Sequence, residues 1–137
     1  MFHRQDYYQT EREQNDTALA RGLGWFSIGI GLAELVMPRQ IENLLGLDHD
    51  ASTRGTIRAL GARELCHGAA ILTEDRPSPE LRNAMWARVA GDVLDTTLFG
   101  MAGTKTKSPG GYAMAGAMLM AVGAADFICA KRLTEDA

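Results

Sequence analysis

The stretch PGGYAMAGAMLMAVGAADFICAKRL, residues 109–133, decides the class of this fold. From Ser108 through Ala125, 18 consecutive residues carry no charge, and Asp126 lies near the far end. Ser108-Pro109 reads as N-cap and first residue of a helix, because the serine hydroxyl accepts from a free backbone N–H and proline lacks one to waste. Met114, Met118, Leu119, Met120, Val122, Phe127 and Ile128 spread around that whole helix. A helix apolar on every side is either deeply buried or in a membrane. A chain of 137 residues has little room to bury one completely. Ala113, Ala117, Ala121 and Ala125 stand four apart, a spacing that permits close helix contact in lipid.

Outward from that helix, three further helical segments are expected. Thr17–Met37 contains only Arg21 and Glu34 as charges; Asp16 is its expected N-cap and Pro38 its stop. As a helix its 21 residues extend ~31 Å, against a bilayer core of ~30 Å. Its small residues pair as Ser27/Gly31 and Gly29/Ala33. The second segment is Arg54–Thr73; the third starts at Ser78-Pro79 and runs to about Ala102. Between the first two, Arg39–Leu47 reads as a short amphipathic helix at the membrane interface, with Ile41, Leu44 and Leu45 on one face and Gly46 as its stop. No stretch alternates with a period of two, so no strands are expected. The expected fold is all-α: an antiparallel four-helix transmembrane bundle. It comprises a polar segment 1–16, one membrane domain 17–133 and a tail 134–137.

Composition narrows the function classes. Net charge is −3, so nucleic acid is not an expected partner. The two cysteines, Cys66 and Cys129, form no CxxC pair and no disulfide scaffold; both read as small hydrophobes. No apolar run lies at the very start, so a cleavable signal peptide is not expected. His3 and His49 fall in polar stretches and read as surface. Trp25 and Trp86 mark membrane interfaces or pack in the interior. GLGWFSIGIG follows no strand, so its glycines do not make a dinucleotide site.

The charges inside the helices are the informative exception. Arg88, Asp92 and Asp95 stand at i, i+4 and i+7, on one helix face. Inserting them costs about 8–10 kcal/mol, while the apolar residues of the same helix return about 3–5 on the same scale. That helix therefore needs a partner, and the second helix, with Arg63, Glu64 and His67, is the expected one in a helical hairpin. Glu34 and Asp126 add one acid from each remaining helix. In lipid such groups point inward and pair. Five acids (Glu34, Glu64, Asp92, Asp95, Asp126) face two arginines (Arg63, Arg88), with Arg58 near enough to a helix end to snorkel. Two readings follow: an ion-pair lattice that fixes helix register, or a polar cavity for a proton, a cation or a ligand headgroup. Glu64-Leu-Cys-His67 is an ExxH pattern of the kind that ligates metal in di-iron bundles. Those sites carry it on two helices and this chain has one, so neither a metal set nor a catalytic set is assigned, and the cofactor is unknown.

Three stretches carry a resemblance: GLGWFSIGIGLAELVMP, IRALGARELCHGAAIL and WARVAGDVLDTTLFG. They resemble small bacterial four-helix membrane proteins of unknown function, some associated with polyketide cyclase/dehydrase-type lipid-binding proteins. The resemblance covers most of residues 22–100 and is most specific at Gly61–Glu64 and Trp86–Asp95. It implies a four-helix membrane module and no catalytic assignment. The 137 residues leave no room for a β-rich lipid-binding domain beside four helices, so cyclase activity is not expected.

The expected function is that of a non-enzymatic accessory or scaffold module holding a lipophilic ligand near its inner charges. A proton- or ion-linked small transporter is the alternative, and a metal-carboxylate membrane enzyme the third. Expected partners are the lipid bilayer, a lipophilic small molecule, and a membrane protein or second copy of the chain. Arg4, Arg12, Arg21, Arg76, Arg82, Lys131 and Arg132 would share one side, against Arg39, Arg54, Lys105 and Lys107. That bias predicts a multi-pass bacterial inner-membrane protein with both termini in the cytoplasm.

Overall fold

A computed structural model describes the backbone of residues 2–135 and the side chains of residues 7–135. The elements are α1 (Phe2–Val36), α2 (Pro38–Leu45), α3 (Ala51–Leu72), α4 (Pro79–Ala102), a 3-10 turn (Gly103–Lys105) and α5 (Pro109–Glu135), with no strand among the described residues. The surface positions expected for the His3 and Arg4 side chains, and the last two residues of the tail, lie outside the described residues.

Two helix boundaries differ from expectation. α1 does not begin at Asp16 but runs unbroken for 35 residues from Phe2. The polar stretch ahead of Thr17 holds no proline or glycine and is rich in Glu, Gln and Arg, which propagate a helix rather than cap it. Asp16 is thus a mid-helix residue, buried, with its carboxylate 3.5 Å from Arg132. Residues 7–15 are all exposed, so this part of α1 projects beyond its neighbours. α3 begins at Ala51 rather than Arg54, because Asp50 caps it: its side chain accepts from Thr53 N at 2.7 Å. The expected Ser78 cap is present and accepts from Leu81 N. Gly46, at φ 63°, ends α2 in the left-handed region that favours glycine. There the Lys107 N–H donates to Gly46 O at 2.9 Å, tying this turn to the segment between α4 and α5.

The long helices pair as α1 with α3 and α4 with α5; the two pairs meet more sparsely, through α1–α5 and α3–α4. The expected α3–α4 hairpin is therefore the looser contact. Glycine is the reason α1 and α3 prefer each other. A Cβ on Gly31 would come 2.6 Å from Gly61 O, and one on Gly68 would come 2.7 Å from Gly24 O. Gly24 and Gly31 are seven residues apart on α1, and Gly61 and Gly68 seven apart on antiparallel α3, so the backbones touch at two levels. Aromatic packing joins α4 to α5. The rings of Phe99 and Tyr112 stack with centroids 4.0 Å apart, and Trp86 meets Phe127 edge-on at 5.9 Å.

Ser27 is fully buried, within the α1–α3 clasp as its spacing predicted. The alanine stripe on α5 behaves otherwise: Ala113, Ala117 and Ala121 are exposed, and no atom lies within 4 Å of a Cβ built on Gly29. The buried face of α5 is set instead by Asp126, Cys129, Ala130 and Leu133.

A dry core of Ala20, Leu23, Ile71, Leu81, Met85, Cys129, Ala130 and Leu133 fills one end of the molecule, where α3 ends and α4 begins. The outer surface is apolar over much of its area: Trp25, Leu32, Val36, Val93, Leu94, Met101, Met114, Met118, Met120, Phe127 and Ile128 are exposed. Among the described residues two helices, α1 and α5, are long and apolar enough to cross a membrane. The charges of α3 and α4 keep those helices from meeting the same test.

Candidate functional site

The glycine clasp between α1 and α3 delivers Glu64 to the centre of the molecule. Glu64 lies midway between Gly61 and Gly68, and Ser27 lies midway between Gly24 and Gly31. The close approach lets Ser27 Oγ donate to Glu64 Oε2 at 2.7 Å. Arg88 of α4 reaches the same carboxylate oxygen at 3.5 Å and donates from Nε to Asp126 Oδ2 of α5 at 2.7 Å. One chain of hydrogen bonds thus crosses all four long helices: Ser27, Glu64, Arg88, Asp126. Arg88 is 2% exposed and Asp126 fully buried.

A second branch lies beside it. Arg63 NH2 donates to Glu64 Oε1 at 3.2 Å and also bonds Asp95. His67 Nδ1 stands 3.9 Å from Glu64 Oε1. Gly91 of α4 makes this possible, since a Cβ there would come 3.1 Å from the His67 ring and 3.6 Å from the Arg63 guanidinium. Asp92 packs against Gly123, one turn before Asp126.

Pairing inside this group is incomplete. Glu34 Oε2, Asp92 Oδ2, Asp95 Oδ1 and Asp126 Oδ1 are buried carboxyl oxygens with no donor, and Arg63 Nε, Arg63 NH1 and His67 Nδ1 are buried without a partner. An unmade buried hydrogen bond costs about 1–3 kcal/mol. The chemistry available is therefore uptake of a proton or cation, or engagement of a ligand's polar group.

A partly open cavity of about 670 Å³ lies directly over this network. Glu34, Glu64, Arg88, Asp92 and Asp95 form its polar floor, and Phe26, Ile30, Leu60, Leu98, Met118, Leu119 and Val122 supply apolar walls. α2 roofs it: Ile41, Leu44 and Leu45 share a face, as expected, and that face lines the cavity, with Leu44 also exposed. Of the charges singled out from sequence, Glu34, Glu64, Arg88, Asp92 and Asp95 line the cavity, while Arg63, His67 and Asp126 stand behind its floor.

Sequence reasoning missed Glu42. It is fully buried beneath α2, 2.7 Å from His49 Nδ1 and 3.7 Å from Arg54 Nε. On an eight-residue helix it looked like part of the polar face. The only available signal was its position one residue after Ile41 and one turn before Leu45, at the edge of the cavity-facing stripe. His49 is exposed as expected but engaged with this carboxylate.

At the loops, two charged groups have displaced titrations. The Thr53 backbone N–H holds the Asp50 carboxyl below its ordinary value of 3.8. The Asp48 carboxylate, 2.6 Å away, raises the Lys107 ammonium above its ordinary 10.5.

Among the described residues no three His, Cys, Asp or Glu side chains converge as metal ligands would; Glu64 of the ExxH pattern is instead engaged by Ser27, Arg63 and Arg88. Cys129 is buried with its Sγ 3.7 Å from Asp16 O, and Cys66 is exposed. No protein-family model, curated protein or solved structure matches this chain.

Proposed function

We propose that this chain is an integral membrane module whose long helices lie in the bilayer and enclose a binding site for a lipophilic molecule. The observation that carries the reading is the inverted polarity: charged side chains are turned inward, and large apolar side chains cover the outside. In water such a surface marks an interface; in lipid it needs no cover. The buried core helix of a soluble protein is mostly enclosed, whereas the most apolar stretches of α1 and α5 are only 22% and 17% buried. α3 and α4 enter lipid as partners, with Arg63–Asp95 and Arg88–Glu64 pairing charges that neither helix carries across alone. The suggested likeness to small bacterial four-helix membrane proteins agrees with this reading, as does the Arg/Lys bias that puts both termini in the cytoplasm.

The ligand is an amphiphile with its hydrocarbon against the apolar walls and its polar group at Glu64–Arg88. The module is an accessory or scaffold component rather than an enzyme. The test is mass spectrometry of small molecules retained by the chain after transfer from native membrane into lipid nanodiscs. A single retained lipophile, lost in Glu64→Gln, supports the reading; an empty protein, or monodisperse behaviour in plain buffer, rejects it.

One observation favours a second reading, a proton-linked carrier: Asp92 and Asp126 both present buried carboxyl oxygens without a hydrogen-bond partner. Proton flux into liposomes that is abolished by Asp92→Asn would select it.

A further inference from the structure

We propose that Arg39, Arg54 and Arg58 form a binding site for a phosphate group, supplied by the headgroup of an anionic lipid at the membrane surface. The three arginines line a notch of about 520 Å³ with Gln40, Val36 and Gly55, on the side of the α1–α3 pair away from the central cavity. Arg54 and Arg58 stand one turn apart on α3, and Arg39 comes from the first turn of α2. No carboxylate lines the notch. Among the described residues Arg39 and Arg58 make no ion pair, and Arg54 makes one through Nε alone, with the fully buried Glu42. That contact, with the Arg54 Nε bond to Asp50 O at 3.3 Å, orients the guanidinium and leaves its two terminal nitrogens without a partner. Three guanidinium groups facing one space repel each other, and a phosphate answers them by accepting paired N–H bonds.

The neighbourhood fits a lipid. The apolar span of α1 ends at Val36, so the notch sits at headgroup depth. Val36 and Leu32 are exposed beside and below it, on the same helix, where acyl chains attached to a bound phosphate would run. The volume exceeds that of a bare phosphate and accommodates its glycerol. The lipid source rests on the membrane reading above; the phosphate chemistry does not.

The test uses the full chain in a maltoside detergent and native mass spectrometry with three probes: phosphatidylglycerol, diacylglycerol and glycerol 3-phosphate. Arg39→Gln/Arg58→Gln is the informative variant, because neither side chain has an ion-pair partner to lose. Phosphatidylglycerol retained in preference to diacylglycerol, and bound about thirtyfold more weakly by the variant, supports the site. Equal retention of the two lipids with no arginine-dependent binding of glycerol 3-phosphate, or an unchanged variant whose thermal unfolding matches the parent, overturns it. Arginine-dependent binding of glycerol 3-phosphate with no preference for phosphatidylglycerol overturns the lipid source while upholding the phosphate chemistry. If the chain proves soluble without detergent, the membrane reading fails, and the glycerol 3-phosphate arm still decides the arginine site.

Discussion

Arg88 Nε lies 2.7 Å from Asp126 Oδ2, joining α4 to α5 with Arg88 2% exposed and Asp126 fully buried. Neither group has water to fall back on. Removing one partner of such a pair costs about 3–5 kcal/mol, because the survivor stays buried and uncompensated. Replacing both with apolar residues of similar volume is often neutral.

Arg88→Met is therefore expected to destabilise the folded protein by about 3–5 kcal/mol, and Arg88→Met/Asp126→Leu to recover most of that loss. Denaturant unfolding of the four members of this cycle in detergent checks it. Additive losses would mean that Asp126 is not the partner that matters and would shift attention to Glu64.

The glycines of the α1–α3 clasp separate into two classes. A side chain on Gly31 or Gly68 meets backbone oxygen at 2.6 or 2.7 Å, whereas one on Gly29 meets nothing within 4 Å. Gly68→Val is expected to push the helices apart and to break the Ser27–Glu64 hydrogen bond with them. Gly29→Ala is expected to be neutral or to stabilise by up to about 1 kcal/mol through helix propensity. Thermal unfolding of both variants distinguishes them; equal losses would contradict the close approach.

These two relationships also mark how far the sequence was legible. Helix positions were readable because Ser78-Pro79, Pro38 and Gly46 act locally, through capping, a missing N–H and a positive φ. The inward set of charges was readable because lipid or core burial leaves such groups one place to go. The pairing of helices was not readable. Arg88 and Asp92 share a face of one helix, which suggests a partnership, yet a face is shared with whatever packs on it, and here Asp126 arrives from α5. Which glycines meet another backbone depends on the register of two helices, and Gly29 looks no different from Gly31 in a single chain. Glu42 was invisible for the same reason: its burial comes from His49 and Arg54, beyond its own helix.

The N-cap of α3 gives a pH dependence of known sign. The Asp50 carboxyl is held below 3.8 by the Thr53 N–H. Its contribution to stability is present above that ordinary value and is lost as pH falls through the lower native value. Asp50→Asn keeps an acceptor at the cap and cannot titrate. The gap between parent and Asp50→Asn unfolding midpoints is thus expected to be constant near neutrality and to narrow in acid. A gap independent of pH would mean that the carboxylate charge contributes nothing. Lys107 carries the opposite sign: Asp48 raises its pKa above 10.5, so its contribution persists below that value and fades as pH rises through the raised one.

If all four long helices cross, as proposed, both termini lie on one side of the membrane. Reporter fusions at the two termini are expected to give the same, cytoplasmic, signal, and a reporter placed in the loop at 46–50 the opposite one. Different signals from the two ends would mean an odd number of crossings, with one of α3 and α4 outside the hydrocarbon.

The cavity itself can be closed without touching its charges. Ala115 lines it from α5, among Met118, Leu119 and Val122. The side chain of Ala115→Phe would enter a space of about 670 Å³, so the strain of overpacking a filled core, about 1–3 kcal/mol, does not arise. Met114→Phe is the control, one residue earlier and 54% exposed. Ala115→Phe is expected to retain the parent's thermal stability and to lose the lipophile that remains bound after purification, while Met114→Phe keeps both. Loss of ligand with stability intact assigns binding to the cavity and not to the apolar outer surface, which Met114→Phe alters without blocking the interior. If Ala115→Phe carries the same molecule in the same amount as the parent, the ligand lies outside these walls. The charge network beneath them is then a lattice that fixes the helices.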